Sequence, residues 1–214
     1  MIDQKQTNNL CFRWEGKQRR IGITGGIASG KTIIGNFLFQ AKKWPIIDAD
    51  LYAHEALKAE SQISKKVLFR YGNKIIQKST KNDQTINRKE LAKIIFKNDN
   101  EKQWLEGIIH PFVHKRIEEE LEKLKSNSVI ILVIPLLFEK NYTKLCSEIC
   151  YVDCTRTMQL KRLQSRDKLS LEEANQRIDA QWNNAFKKKF ADHIITNSNN
   201  DETWKMELKK LYNF

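Results

Sequence analysis

Eight consecutive residues, Gly25-Gly26-Ile27-Ala28-Ser29-Gly30-Lys31-Thr32, satisfy the pattern G-x-x-x-x-G-K-[ST] at every defined position. The pattern binds phosphate for physical reasons. Gly25 and Gly30 permit backbone angles that turn successive N–H groups toward phosphate oxygens, and a helix starting at the lysine aims the positive end of its dipole at the same anion. The Lys31 ammonium supplies a mobile charge for the outer phosphates of a nucleotide, and the Thr32 hydroxyl a ligand for a bridging magnesium ion. The bland alternative is a glycine turn before an ordinary helix with Lys31 solvated, which needs both the pattern and its flanks to coincide by accident.

Other groups suited to chemistry lie further along. Asp48 and Asp50 close the run Trp44-Pro45-Ile46-Ile47-Asp48-Ala49-Asp50. If a strand extends through Asp50, its period of two puts both carboxylates on one side, at the sheet edge where a parallel α/β fold opens its ligand crevice. The competing use is Asp50 as a helix cap for Leu51–Ala59, with Asp48 solvated. Arg162 and Arg166, four apart on a predicted helix, share a face, a repulsive arrangement unless an anion lies over it, as in phosphoryl transfer. Asp167 or Glu173 as surface ion partners would serve the same pair. Arg88 reads either as a solvated helix-start residue or as a phosphate or substrate contact. His110 and His114 are four apart, but Pro111 stands where H-E-x-x-H needs its glutamate, so a packed or capping histidine competes with a catalytic one.

The elements that must position these groups follow from periodicity. Ile21–Thr24 reads as a buried strand, and Ile33, Ile34, Phe37 and Leu38 have helical spacing up to about Lys42. Val129–Ile134 is a β-branched and aliphatic run of the kind buried on both faces of a parallel sheet, with Pro135-Leu136-Leu137-Phe138-Glu139 at its end. Ile149–Asp153 and His193–Ile195 are further strands, and Met158–Arg166, Leu171–Gln181 and Glu202–Tyr212 are helices. The alternation predicts an α/β domain over 19–214. Between the second strand and Val129 the pattern is helical, near Ile63–Tyr71, Arg88–Phe96, Asn100–Ile109 and from about Phe112 to Lys125, with Pro111 in the first turn of the last. Gly72-Asn73 and Lys81-Asn82-Asp83 supply turns. This insertion, about 55–125, is expected to form a lobe over the crevice that holds a second substrate. Residues 1–18 show no clear period and read as a poorly ordered extension, with Trp14 the residue suited to docking.

Composition bounds the function. A 214-residue chain, 40% hydrophobic and 30% charged, has the profile of a soluble globular domain. Its longest apolar run, Val129–Phe138, is interrupted by Pro135 and is roughly half of what a membrane-spanning helix needs. The polar first 18 residues lack a secretory pattern, so a cytoplasmic protein is expected, with Cys11, Cys146, Cys150 and Cys154 as reduced thiols. The net charge of +12 is dispersed and accompanied by no zinc-finger or RNA-recognition signature, which favours small polyanionic ligands over nucleic acid or a membrane. No oligomeric state follows.

Taken together, these stretches resemble the dephospho-coenzyme A kinases of the P-loop kinase superfamily. The segments that carry the resemblance are Ile21–Thr32, Ile47–Asp50, Ile108–Pro111, Pro135–Glu139, Gln159–Leu163, Arg166-Asp167 and Arg177–Gln181. The resemblance implies a three-layer fold with a five-stranded parallel sheet, a helical acceptor-binding lobe and an arginine-bearing lid at about 156–182. It implies phosphorylation by ATP, with Mg2+, of the ribose 3′-hydroxyl of dephospho-coenzyme A. It implies nucleotide binding by Gly25, Gly26, Ala28, Ser29, Gly30, Lys31, Thr32, Ile33 and Asn197, and acceptor binding by Asp48, Asp50, Arg88 and His110. Asp50 would be the base or orienter, with Lys31, Arg162 and Arg166 as the other catalytic groups and Thr32 and Asp48 serving the metal. Four positions depart from the family pattern: Ala28 replaces a glycine, Thr32-Ile33 replaces Ser-Thr, and Thr196 replaces a frequent aspartate. A P-loop kinase for another hydroxyl acceptor, such as a nucleoside or sugar, and a nucleic-acid-binding NTPase are the rival functions.

Overall fold

A computed structural model describes residues 9–78, 84–198 and 202–214. Strand β1 (Arg19–Gly25) runs into the glycine loop and helix α1 (Lys31–Lys42) leaves it. Strand β2 (Ile46–Asp48) passes directly into α2 (Ala49–Ala56). Next come α3 (Gln62–Tyr71), the short strands β3 (Ile76–Lys78) and β4 (Gln84–Ile86), α4 (Arg88–Ile95) and the long α5 (Asp99–Lys123). The chain continues through β5 (Val129–Val133), β6 (Glu148–Asp153), α6 (Arg156–Asp167), α7 (Leu171–Asp179), α8 (Asn184–Lys188), β7 (His193–Thr196) and α9 (Thr203–Tyr212).

Five strands form one parallel sheet in the order β2-β5-β1-β6-β7, with β1 at its centre. This is the α/β architecture expected. Strand alternation places Ile21, Ile23, Ile131, Val133, Cys150 and Val152 on one face, where they meet Ile34 and Leu38 of α1 and Trp204, Leu208 and Tyr212 of α9. Each such side chain, fully buried, contributes about 1.5–3 kcal/mol relative to exposure, which is what anchors the loop between β1 and α1. All four cysteines are free, and burial pushes the Cys146 and Cys150 thiols up to about 12.

The chain divides into two compact units, residues 1–48 with 123–214, and residues 49–122. The second has its own core of Val67, Ile75, Ile86, Leu91 and Leu105. The turn expected at Lys81-Asn82-Asp83 lies outside the described residues. So does the start of the N-terminal extension; its residues 9–18 lie against the first unit. Leu10 is buried, the Trp14 amide donates to the Cys146 carbonyl at 2.8 Å, and the Arg20 guanidinium stacks 3.6 Å over the Trp14 ring.

Three local expectations need correction. Strand β2 ends at Asp48, and Asp50 already belongs to α2, so strand alternation does not set the relation between these carboxylates; the helix also starts too early for Asp50 to cap it. Pro111 does not open a helix but lies inside α5. The stripe of buried Leu105, Val113, Ile117 and Leu121 with half-buried Ile109 keeps a four-residue step straight through it, and this packing offsets the roughly 3 kcal/mol that an interior proline costs. Two elements were not anticipated: the β3–β4 pair and α8, both too short to show a period.

Candidate active site around the phosphate loop

The loop is shaped by three positive-φ residues, Gly25 (φ 154°), Ala28 (φ 56°) and Gly30 (φ 95°). A Cβ on Gly30 would come within 2.2 Å of the Asn197 side-chain nitrogen, so both backbone angle and space demand glycine there. Gly30 is also the N-cap residue of α1 and has no side chain to cap the first helical amides; the Ile33 and Ile34 N–H groups donate to its carbonyl (3.0 and 3.2 Å), and the positive end of the helix dipole is suited to an anion. The buried Lys31 bends back over the loop, its ammonium donating to the carbonyls of Gly25 (3.1 Å) and Gly26 (2.9 Å). Thr32 and Ile33, next in the first turn, are exposed.

Groups from the late chain hold the loop from outside. Asn197, just beyond β7, donates to the Ser29 carbonyl at 2.8 Å. Arg162 of α6 donates to the carbonyls of Ala28 (3.3 Å) and Ser29 (3.4 Å) and to Asn197 Oδ1 (3.3 Å). Gln159 Nε2 donates to the Ile27 carbonyl at 2.6 Å, and the Ile27 amide donates to Gln181 Oε1 at 2.8 Å. Sequence reasoning assigned no role to either glutamine. The signal was there for Gln159, which sits one helical turn before buried Leu163 on the inward stripe of α6, a place where an amide needs a partner.

Arg162 and Arg166 therefore part company despite their spacing. Arg166 makes a two-pronged pair with Asp167 (2.7 and 3.0 Å), which also accepts from Arg177 at 3.2 Å. The Arg166 hydrogen bond holds the Asp167 carboxyl below its ordinary range. This is the surface-partner arrangement, and it clips α6 to α7 together with Arg156, which grips Asp179 at 2.6 and 2.9 Å.

Asp48 is half-buried at the end of β2, level with Val133 of β5 and, one strand further, with Ile23 of β1. Its carboxylate thus stands at the sheet edge from which the loop emerges. In the second unit, Asp50 is exposed in the first turn of α2. Arg88 donates to the His54 carbonyl at 2.9 Å, and His110 is half-buried midway along α5.

The family model for dephospho-CoA kinase matches residues 19–202, from the first residue of β1 to the start of α9. The chain belongs to the dephospho-CoA kinase family. A curated dephospho-CoA kinase from Prochlorococcus marinus strain NATL2A is 80% identical over 214 residues, all of both chains, and another from strain MIT 9313 is 44% identical over 93% of this chain and 98% of that one. Among solved structures, the dephospho-CoA kinase from Campylobacter jejuni superposes with a TM-score of 0.65 at 31% identity, covering 91% of this chain and 95% of that one. Among the described residues of this dephospho-CoA kinase family member, no three His, Cys, Asp or Glu side chains gather as a metal cage. The donor set of one hydroxyl and one carboxylate fits a magnesium ion that keeps its waters and shares phosphate oxygens, which is the ordinary habit of that ion.

Proposed function

We propose that the chain transfers the γ-phosphoryl group of ATP to the ribose 3′-hydroxyl of dephospho-coenzyme A, yielding coenzyme A and ADP, the final step of coenzyme A synthesis. The observation that carries this reading is the full-length 80% identity to a dephospho-CoA kinase, in a chain whose phosphate loop satisfies its pattern throughout.

On this reading the segment from Ala28 to Ile33 cradles the triphosphate. Lys31 exchanges the loop carbonyls for phosphate oxygens, which strengthens as charge develops on the transferring group. Asp50 orients the acceptor hydroxyl and takes its proton. Arg88 and His110, on the same unit, serve the acceptor. Arg162 holds Ser29 in place, Asn197 flanks the adenine end, and Arg166 lies on the lid. Thr32 and Asp48 would hold Mg2+, which when bound neutralises phosphate charge. Among the described residues no helix is long and apolar enough to cross a membrane, and the reaction fits a cytoplasmic setting.

The test is ADP release measured by a coupled assay with ATP alone, with dephospho-coenzyme A, and with nucleoside and sugar acceptors. Release only with dephospho-coenzyme A is expected. Release independent of any acceptor, or with another hydroxyl compound in its place, would overturn the proposal.

A further inference from the structure

We infer that Gln159 and Gln181 are positioning residues that fix the crest of the phosphate loop by holding both backbone groups of Ile27. The inference rests on the functional reading above for what the loop binds. Gln159, 1% exposed, donates to the Ile27 carbonyl, and Gln181 accepts from the Ile27 amide. The Ile27 side chain packs against the buried cluster of Leu163, Leu169 and Ala174. The crest is thus attached to the α6–α7 layer by two polar ties and one apolar one.

Each glutamine is itself held. Asn184 Nδ2 donates to Gln159 Oε1 at 3.4 Å, which leaves Nε2 to face the Ile27 carbonyl. Beside Gln181, the Trp182 amide donates to Glu139 Oε1 at 3.2 Å. The tie also explains Gly26, where a Cβ would come within 2.2 Å of Gln159 Nε2; this glycine clears space for a glutamine. Because the Ile27 N–H is committed to Gln181, and the Ser29 N–H to the Gly26 carbonyl at 3.2 Å, a phosphate is left to other amides of the loop beyond Ile27, and their aim depends on where Ile27 is held. Loss of either tie frees the crest, so nucleotide affinity falls while the acceptor, which meets other residues, is unaffected.

The experiment uses Gln159→Met, Gln181→Met and the double variant of the full chain, with methionine keeping length and volume. ATP affinity is read by calorimetric titration without acceptor, and KM for dephospho-coenzyme A at saturating ATP. Each single variant is expected to weaken ATP binding about tenfold, the scale of one lost hydrogen bond with its buried partner left unmet. The double variant should lose less than the product, because both ties act on one residue. KM for dephospho-coenzyme A should stay as in the unmodified protein. Unchanged ATP affinity in both single variants, or constants for both substrates moving together, would overturn the inference. If Gln159→Met does not fold, Gln181→Met at its half-exposed position decides alone. Should the unmodified protein bind ATP yet not phosphorylate dephospho-coenzyme A, the functional reading falls and the titration still decides this one.

Discussion

Asn197 donates its side-chain amide to the Ser29 carbonyl across 168 positions of sequence, and that nitrogen occupies the space a Cβ at position 30 would need. The loop and the end of β7 are therefore shaped for one another. Asn197→Ala removes the donor from a buried carbonyl and one partner from Arg162, which should cost about 1–3 kcal/mol of stability. Urea denaturation reads the loss, and ATP affinity should fall with it. A variant as stable as the parent would show that Arg162 alone satisfies Ser29.

The proposed base is testable separately. Asp50→Asn keeps size and polarity but cannot take a proton, so kcat should fall by about 100-fold or more while ATP binding persists. Lys31→Ala should nearly abolish turnover. Normal turnover in Asp50→Asn would move the role to Asp48 or elsewhere.

Ala28 holds a left-handed conformation at φ 56°, which costs a residue with a Cβ roughly 1–2 kcal/mol. Ala28→Gly relieves this and returns roughly 0.4–1 kcal/mol through the freer unfolded chain. A net gain of about 0.5–1 kcal/mol in chemical denaturation is expected. A loss would mean that Ala28, which packs beside Leu163 and Ala174, contributes more through its methyl group than it costs in strain.

These contrasts mark what is legible in the chain and why. The segment from Ile21 to Lys42 reads correctly because its strand, turn and helix are each specified by neighbouring residues. Strand β5 reads correctly because an unbroken β-branched and aliphatic run suits the interior of a parallel sheet and little else. The end of β2 and the helix through Pro111 do not, since each is decided by burial against elements distant in sequence. Arg162 and Arg166 share a helical face, yet only the structure reveals that one meets loop carbonyls and the other Asp167. Asn197 and Gln181 stand out in sequence only through family resemblance, and neither partner can be read there, because both partners are backbone groups more than a hundred residues away.

In the second unit, Glu101 accepts two bonds from Arg70 (2.7 and 2.9 Å) and one from the Tyr71 hydroxyl (2.7 Å). The Arg70 bonds, then Tyr71, hold its carboxyl down at about 2. A folded-state value below the unfolded one means stability present above the ordinary carboxylate range and lost as the pH falls toward about 2. Glu101→Gln should therefore melt below the parent near neutral pH, and the gap should close on acidification through that window. A gap independent of pH would show that the carboxylate charge is not what matters.

Lys187 is fully buried, and its ammonium lies 3.1 Å from Glu139, whose side chain is only 9% exposed. Burial pulls the lysine down from its ordinary value and the carboxylate partly restores it. Glu139 Oε1 also accepts the Trp182 amide, while Oε2 is buried without a hydrogen-bond partner among the described residues, so Lys187 is the charge that makes this carboxylate tolerable. Lys187→Met strands the carboxylate and should cost about 3–5 kcal/mol, the scale for half a buried ion pair. Adding Glu139→Gln removes the charge and keeps an acceptor for Trp182, so the double variant should recover most of that loss in urea denaturation. Recovery of stability without recovery of ATP affinity would separate the two duties of Glu139, supporting α8 and, through Trp182, holding Gln181 against Ile27. A Lys187→Met protein as stable as the parent would mean that Glu139 is neutralised by some other group.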